Sequence, residues 1–104
     1  MTSEDVPVTL TGKERRQLRA LGHHLKPVVQ VGKGGASEAL VVEVDRELKA
    51  HELIKIKVLE SAPSNPEPLA RQLALSLDAH VAQVLGRTAL LYRAREDNPK
   101  ISIG

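Results

Sequence analysis

The sequence predicts an α/β fold: a single-domain αβαβαββ sandwich with a four-stranded mixed sheet. Three observations carry that expectation. A capping box opens a leucine-bearing helical stretch near the start of the chain. Two short apolar runs, at 27–31 and 53–59, each lead through a turn into a further helical pattern, as βαβ units do. Two more strand patterns follow, joined by a short link containing glycine, and read as a closing hairpin.

Residues 1–9 are expected to be a flexible lead-in. The first helix starts at Thr11, whose partner in the T-x-x-E box is Glu14, and runs to about Leu25. Leu18, Leu21 and Leu25 fall at i, i+3 and i+7 and are expected to be its buried face. Arg15, Arg19 and His23 form a stripe on a neighbouring arc, with Arg16 beside it. Pro27 ends the helix and starts the first strand, Pro27-Val28-Val29-Gln30-Val31.

The second helix begins at a Ser37 cap and runs to about His51, burying Leu40, Val44 and Leu48. Its valines at 41, 42 and 44 lower its intrinsic propensity, so packing must hold it. The second strand alternates Ile54, Ile56 and Val58 against Lys55 and Lys57. Asn65-Pro66 reads as N-cap and N1 of a third helix with Leu69, Leu73 and Leu77 inward. Strands at about 80–85 and 89–94 close the fold through Gly86-Arg87-Thr88. The domain is expected to span 10–95, with 96–104 as a polar tail.

Composition narrows the function classes. Cysteine is absent, which excludes thiol chemistry and Cys-based zinc sites and suits a reducing cytoplasm. No apolar run is long enough to span a bilayer. The first residues are acidic and polar, unlike a signal peptide. Tyr92 is the only aromatic, so the core is aliphatic and a platform of stacked aromatics for nucleic acid is ruled out. The net charge of +2 hides an asymmetry. Lys13, Arg15, Arg16, Arg19, Lys26 and Lys33 face a single acid, Glu14, whereas 38–52 is mostly acidic. That distribution favours a polyanion-binding face; solvated helix surfaces are the plain alternative.

The turn Gly32-Lys33-Gly34-Gly35 lies between the first strand and the second helix. Glycines there let backbone N–H groups approach an anion, the helix N-terminus adds donors, and Lys33 adds charge. It matches neither the Walker A loop nor the dinucleotide fingerprint. Its local character is that of the G-x-x-G loop with which KH modules clamp nucleic acid backbone. A plain tight turn is the competing reading, and Glu38 in the first turn opposes an anion. The four histidines show no metal-ligand spacing, Ser37 has no partnered base, and no acid/base pair is recognisable. No cofactor and no catalysis are expected.

Several segments taken together resemble one family. They are Leu10-Thr11-Gly12-Lys13 with the Arg15–Arg19 stretch, 25–35 around the glycine turn, 51–57, and Val84-Leu85-Gly86-Arg87-Thr88-Ala89-Leu90-Leu91-Tyr92-Arg93. Their order is similar to that of the CRM domain (chloroplast RNA splicing and ribosome maturation) in its bacterial stand-alone, YhbY-like form. The resemblance covers roughly residues 9–95. It implies a fold like the C-terminal domain of bacterial translation initiation factor three. It also implies an RNA-binding module associated with large ribosomal subunit precursors, and a monomer is expected. The resemblance maps the RNA contacts onto Gly32, Lys33, Gly34 and Gly35 in the loop and onto the basic stretch Lys13, Arg15, Arg16 and Arg19; the charge pattern adds Lys26, Arg87 and Arg93 to the expected basic surface and leaves Lys55, Lys57 and Arg95 open. The competing class is a protein-binding adaptor in ribosome assembly or translation that touches no RNA.

Overall fold

The computed structural model describes residues 10–95, 97 and 99–101. The expected lead-in, 1–9, lies outside the described residues, as do 96, 98 and 102–104 of the expected tail. Three helices, α1 (Gly12–Gly22), α2 (Glu38–His51) and α3 (Pro66–Leu77), alternate with four strands, β1 (Pro27–Val31), β2 (Leu53–Val58), β3 (His80–Leu85) and β4 (Thr88–Tyr92). The sheet order is β1-β2-β4-β3. β1 and β2 are parallel, and β4 runs antiparallel to both β2 and β3. The αβαβαββ order and mixed sheet are those the periodicities predict. The insertion of β4 between β2 and β3 is a tertiary choice that no local pattern announces.

Alternation along the strands divides the core in two. On one face Val29, Val31, Ile54, Ile56, Val58, Ala89 and Leu91 pack with Leu40, Val44 and Leu48 of α2 and Leu69, Ala70 and Leu73 of α3. On the other face Leu53, Ala82, Leu90 and Tyr92 pack with Leu10 and with Leu18 of α1. The sheet is therefore sandwiched between α1 and the α2–α3 pair.

The local signals hold at the helix starts. Thr11 Oγ1 accepts from the Glu14 N–H while Glu14 Oε1 accepts from the Thr11 N–H, completing the capping box. Ser37 Oγ accepts from the Leu40 N–H at the start of α2. Asn65 sits at the N-cap of α3 with Pro66 after it, but its side chain makes no capping bond.

Three sequence expectations need correction. α1 ends at Gly22, and Leu21 and Leu25 are 51% and 36% exposed. The buried stripe is Leu18 with Gly22, because a Cβ on Gly22 would lie 2.6 Å from Leu90 Cδ1. The helix crosses closest to the sheet at a residue with no side chain. The hairpin link is two residues, Gly86-Arg87, and Thr88 already pairs with Leu85; Gly86 takes φ 59°, the positive value a tight link needs. Leu77 is only partly buried, and Ala70 and Ala74 complete the inner face of α3.

One buried acid ties the chain end to the core. Glu52 alone joins α2 to β2, is 0% exposed, and holds φ 66°. Such backbone is strained for a residue with a Cβ, by about 1–3 kcal/mol. Its carboxylate accepts from the backbone N–H groups of Arg95, Lys100 and Ile101. Burial raises its pKa, but these donors outweigh burial and hold it below the usual glutamate value.

Candidate functional site

The glycine segment forms a closed turn at the end of β1, with the Gly35 N–H donating to the Gly32 carbonyl at 3.0 Å. Its glycines are not equivalent. Gly35 has φ 59°, and a Cβ there would stand 2.8 Å from Pro63 Cγ. That glycine is required by the fold. Gly34 is exposed, has no positive φ, and a Cβ there would meet nothing within 4 Å. Nothing in the surrounding packing asks for glycine at 34. Lys33 is exposed beside it. The turn thus leans on the 59–63 segment on one side and presents Lys33 and bare backbone on the other.

Arg87 stiffens that support. Its Nε donates to the Val58 carbonyl at 2.9 Å and its Nη2 to the Leu59 carbonyl at 2.8 Å. The Leu59 N–H in turn donates to the Val31 carbonyl, the residue before the turn. Arg87 therefore ties the end of β2 to the β3–β4 link, and the Leu59 N–H joins that end to β1.

Two other arginines are similarly engaged. Arg15 Nη1 donates to the Val81 carbonyl at 2.8 Å, pinning α1 to β3. Arg93 Nη1 donates to the Leu77 carbonyl at 3.0 Å, and its Nη2 pairs with Asp45 Oδ1 at 2.9 Å. Hydrogen bonds from Lys49 and Arg93 hold the Asp45 carboxyl below its ordinary range. Sequence gives these three arginines the same appearance as the free ones, since their partner carbonyls lie 66, 29 and 16 residues away.

The remaining cations are unpartnered. Lys13, Arg16, Arg19, Lys26 and Lys33 are exposed, and among the described residues none has an ion pair or side-chain hydrogen bond. Glu14, the one acid of α1, is occupied by the capping box. The acids of α2 and α3 behave differently: Asp45 pairs with Lys49 at 3.1 Å and Glu67 with Arg71 at 3.0 Å. Charge is balanced on α3, net negative on α2, and left positive along α1 and the glycine turn. Such a charge distribution attracts an extended polyanion.

The sheet order also bears on Lys55 and Lys57. β2 is an inner strand, flanked by β1 and β4. Lys55 and Lys57 therefore guard no sheet edge, the role such lysines often have. Among the described residues no three His, Asp or Glu side chains converge as a metal site, and no helix is long and apolar enough to cross a membrane.

Comparison with known proteins places these features in a family. The CRS1 / YhbY (CRM) domain model matches residues 10–93. The chain is 36% identical over 94 residues to "Probable RNA-binding protein YqeI" of Bacillus subtilis, covering 90% of this chain and 98% of that one. It is 47% identical over 96 residues to "Probable RNA-binding protein MJ0652" of Methanocaldococcus jannaschii, covering 90% and 71%. The solution structure of the hypothetical protein SAV1595 from Staphylococcus aureus has the same fold, with TM-score 0.70, 35% identity and coverage of 92% and 100%.

Proposed function

The chain belongs to the CRS1/YhbY (CRM) domain family, and from that premise we propose that it binds structured RNA through the phosphate backbone. The observation that carries this reading is the set of unpartnered cations Lys13, Arg16, Arg19 and Lys26 on and just after α1, together with Lys33 in a glycine turn whose outer residue has no structural need to be glycine. Lys33 and the backbone at Gly34 hold one phosphate; the α1 cations hold others along the same strand of RNA. Gly32 and Gly35 shape the turn. Arg15, Arg87 and Arg93 position these elements through the carbonyls they bind, and Arg15 keeps donors free to join the contact.

The RNA we propose is that of large ribosomal subunit precursors, the setting the family resemblance implies. Binding requires no catalytic step and no cofactor, and one copy of the chain suffices. With no Phe, Tyr or Trp exposed on this surface, backbone and shape are read more than bases.

The test is fluorescence anisotropy with structured large-subunit ribosomal RNA fragments. Lys33→Ala should weaken binding to all fragments about equally. Gly34→Asp should be worse, because it adds a negative charge and a side chain where backbone meets phosphate. Equal affinity of Gly34→Asp and wild type would show that the turn is not the contact. Loss of RNA binding with retained capture of an assembly protein would favour the adaptor.

A further inference from the structure

The α1 side of the sheet is only partly covered. Beside α1, the strip formed by β1 and β2 stays open: Val28 is 44% exposed, and Gln30 and Lys57 are exposed. A groove of about 440 Å³ lies there, between the end of α1 and these strands. Leu21, Leu25 and Val28 wall it, Leu53 and Lys55 line its depth, and Lys26 stands at its rim. No acidic residue lines it. Its size is that of a site for a small organic group.

We propose, on the footing of the RNA-binding reading above, that this groove takes the base of one unpaired RNA nucleotide while Lys26, Lys55 and Lys57 hold the flanking phosphates.

Charge and continuity identify the occupant. Lysine is disfavoured in a strand interior, and β2 carries two on one face. Among the described residues neither has an ion pair or hydrogen bond. Edge protection cannot explain them, because β2 is internal. Lys55 and Lys57 are two residues apart on one strand face, about 6.6 Å along it. The same two strands run on to the glycine turn. The cations thus form a line from the groove to Lys33, which suits a polyanionic strand. An apolar side chain from a protein would fill the walls and leave that line without counter-charge.

The edge strand supplies polar groups as well. The Val31 carbonyl bonds toward β2, so the alternation of a parallel ladder turns the backbone N–H and C=O of Gln30 to the open side. At Val28 the ladder slips, since Pro27 pairs with Lys55 and Val29 with Ile56. Val28 alternates with the inward Val29, so its side chain lies on the groove side.

The experiment compares two RNA hairpins that differ only by one unpaired nucleotide, with the full chain and fluorescence anisotropy. Wild type should prefer the hairpin with the unpaired nucleotide by about fivefold, the low end of a base-stacking contribution because the walls are aliphatic. The exposed-residue variant Leu21→Ser with Val28→Ser should equalise the two affinities and leave binding to the paired hairpin unchanged. A 2-aminopurine at the unpaired position should brighten on binding wild type and not on binding this variant. Circular dichroism confirms the fold. Binding of both hairpins by wild type without preference, or a preference kept by the double variant, overturns the groove and leaves the RNA-binding reading standing. Failure to bind either hairpin sinks both. A dimer of wild type that the double variant dissociates would make the groove a contact between copies and overturn the proposal.

Discussion

Replacing Gly35 and Gly34 by alanine, one at a time, should have opposite consequences although the residues are adjacent. Gly35 holds φ 59°, and its added Cβ would lie 2.8 Å from Pro63 Cγ. A left-handed conformation costs an L-residue roughly 1–2 kcal/mol. The contact with Pro63 adds to that, since the ring is itself held in a loop, and about 2–3 kcal/mol in total is expected. For a domain of this size, each kcal/mol moves Tm by roughly 4–8 °C. Gly35→Ala should therefore lower Tm by about 10–20 °C in thermal unfolding followed by circular dichroism. At Gly34 a Cβ meets nothing within 4 Å and no positive φ is required. Gly34→Ala should keep or raise stability by about 0.4–1 kcal/mol, because alanine restricts the unfolded chain. Its RNA affinity should nonetheless fall about tenfold, as expected when the added methyl keeps a charged phosphate from hydrogen-bonding distance of the backbone N–H. An unchanged Tm for Gly35→Ala would refute the strain assignment. Undiminished affinity in Gly34→Ala would refute the role of the bare backbone.

Other outcomes follow from single contacts. Glu52→Gln should destabilise the protein by about 2 kcal/mol or more, as buried N–H groups lose a charged acceptor. Because folding lowers the Glu52 pKa, its contribution is present above about pH 4.3 and fades as pH falls through the folded-state value. Denaturant titrations at pH 7 and at successively lower pH should show the wild type losing that increment progressively and the variant lacking the loss; identical pH dependence would contradict the assignment. Arg87→Ala should loosen the ends of β1 and β2, seen as faster amide exchange at Leu59, whereas unchanged exchange would remove its positioning role. Gly22→Ala should cost about 1–3 kcal/mol through overpacking against Leu90, and a neutral effect would mean that the core yields there.

Much of the fold was legible because its signals are local. The Thr11–Glu14 box, the Ser37 cap, Pro66 and the alternation at 53–58 each depend on residues a few positions apart. The burial of α1 was not, since Leu18, Leu21 and Leu25 satisfy a helical stripe and the decisive residue is Gly22, which carries no hydrophobicity. Glu52 was hidden for a related reason: it stands among acids in sequence, and only distant N–H groups explain its burial. The candidate site was legible as composition, in its cations and glycines. Its division was not, because the carbonyls that engage Arg15, Arg87 and Arg93 come from other elements. Lys55 and Lys57 gained meaning only once β2 was seen to be internal.

The central claim is that free cations on α1 and the glycine turn neutralise RNA phosphates. Its most direct test is the salt dependence of affinity, measured for wild type and for a quadruple variant, Lys13→Ala, Arg16→Ala, Arg19→Ala and Lys33→Ala. Arg15 is left intact because it pins α1 to β3. Each lost phosphate contact should flatten the slope of log K against log salt by about 0.7–0.9. The quadruple variant should therefore be flatter by about 3 units, with affinity reduced for every structured RNA and the fold intact by circular dichroism. A folded quadruple variant with the wild-type slope and affinity would contradict the account, and RNA contact would have to be sought on another face.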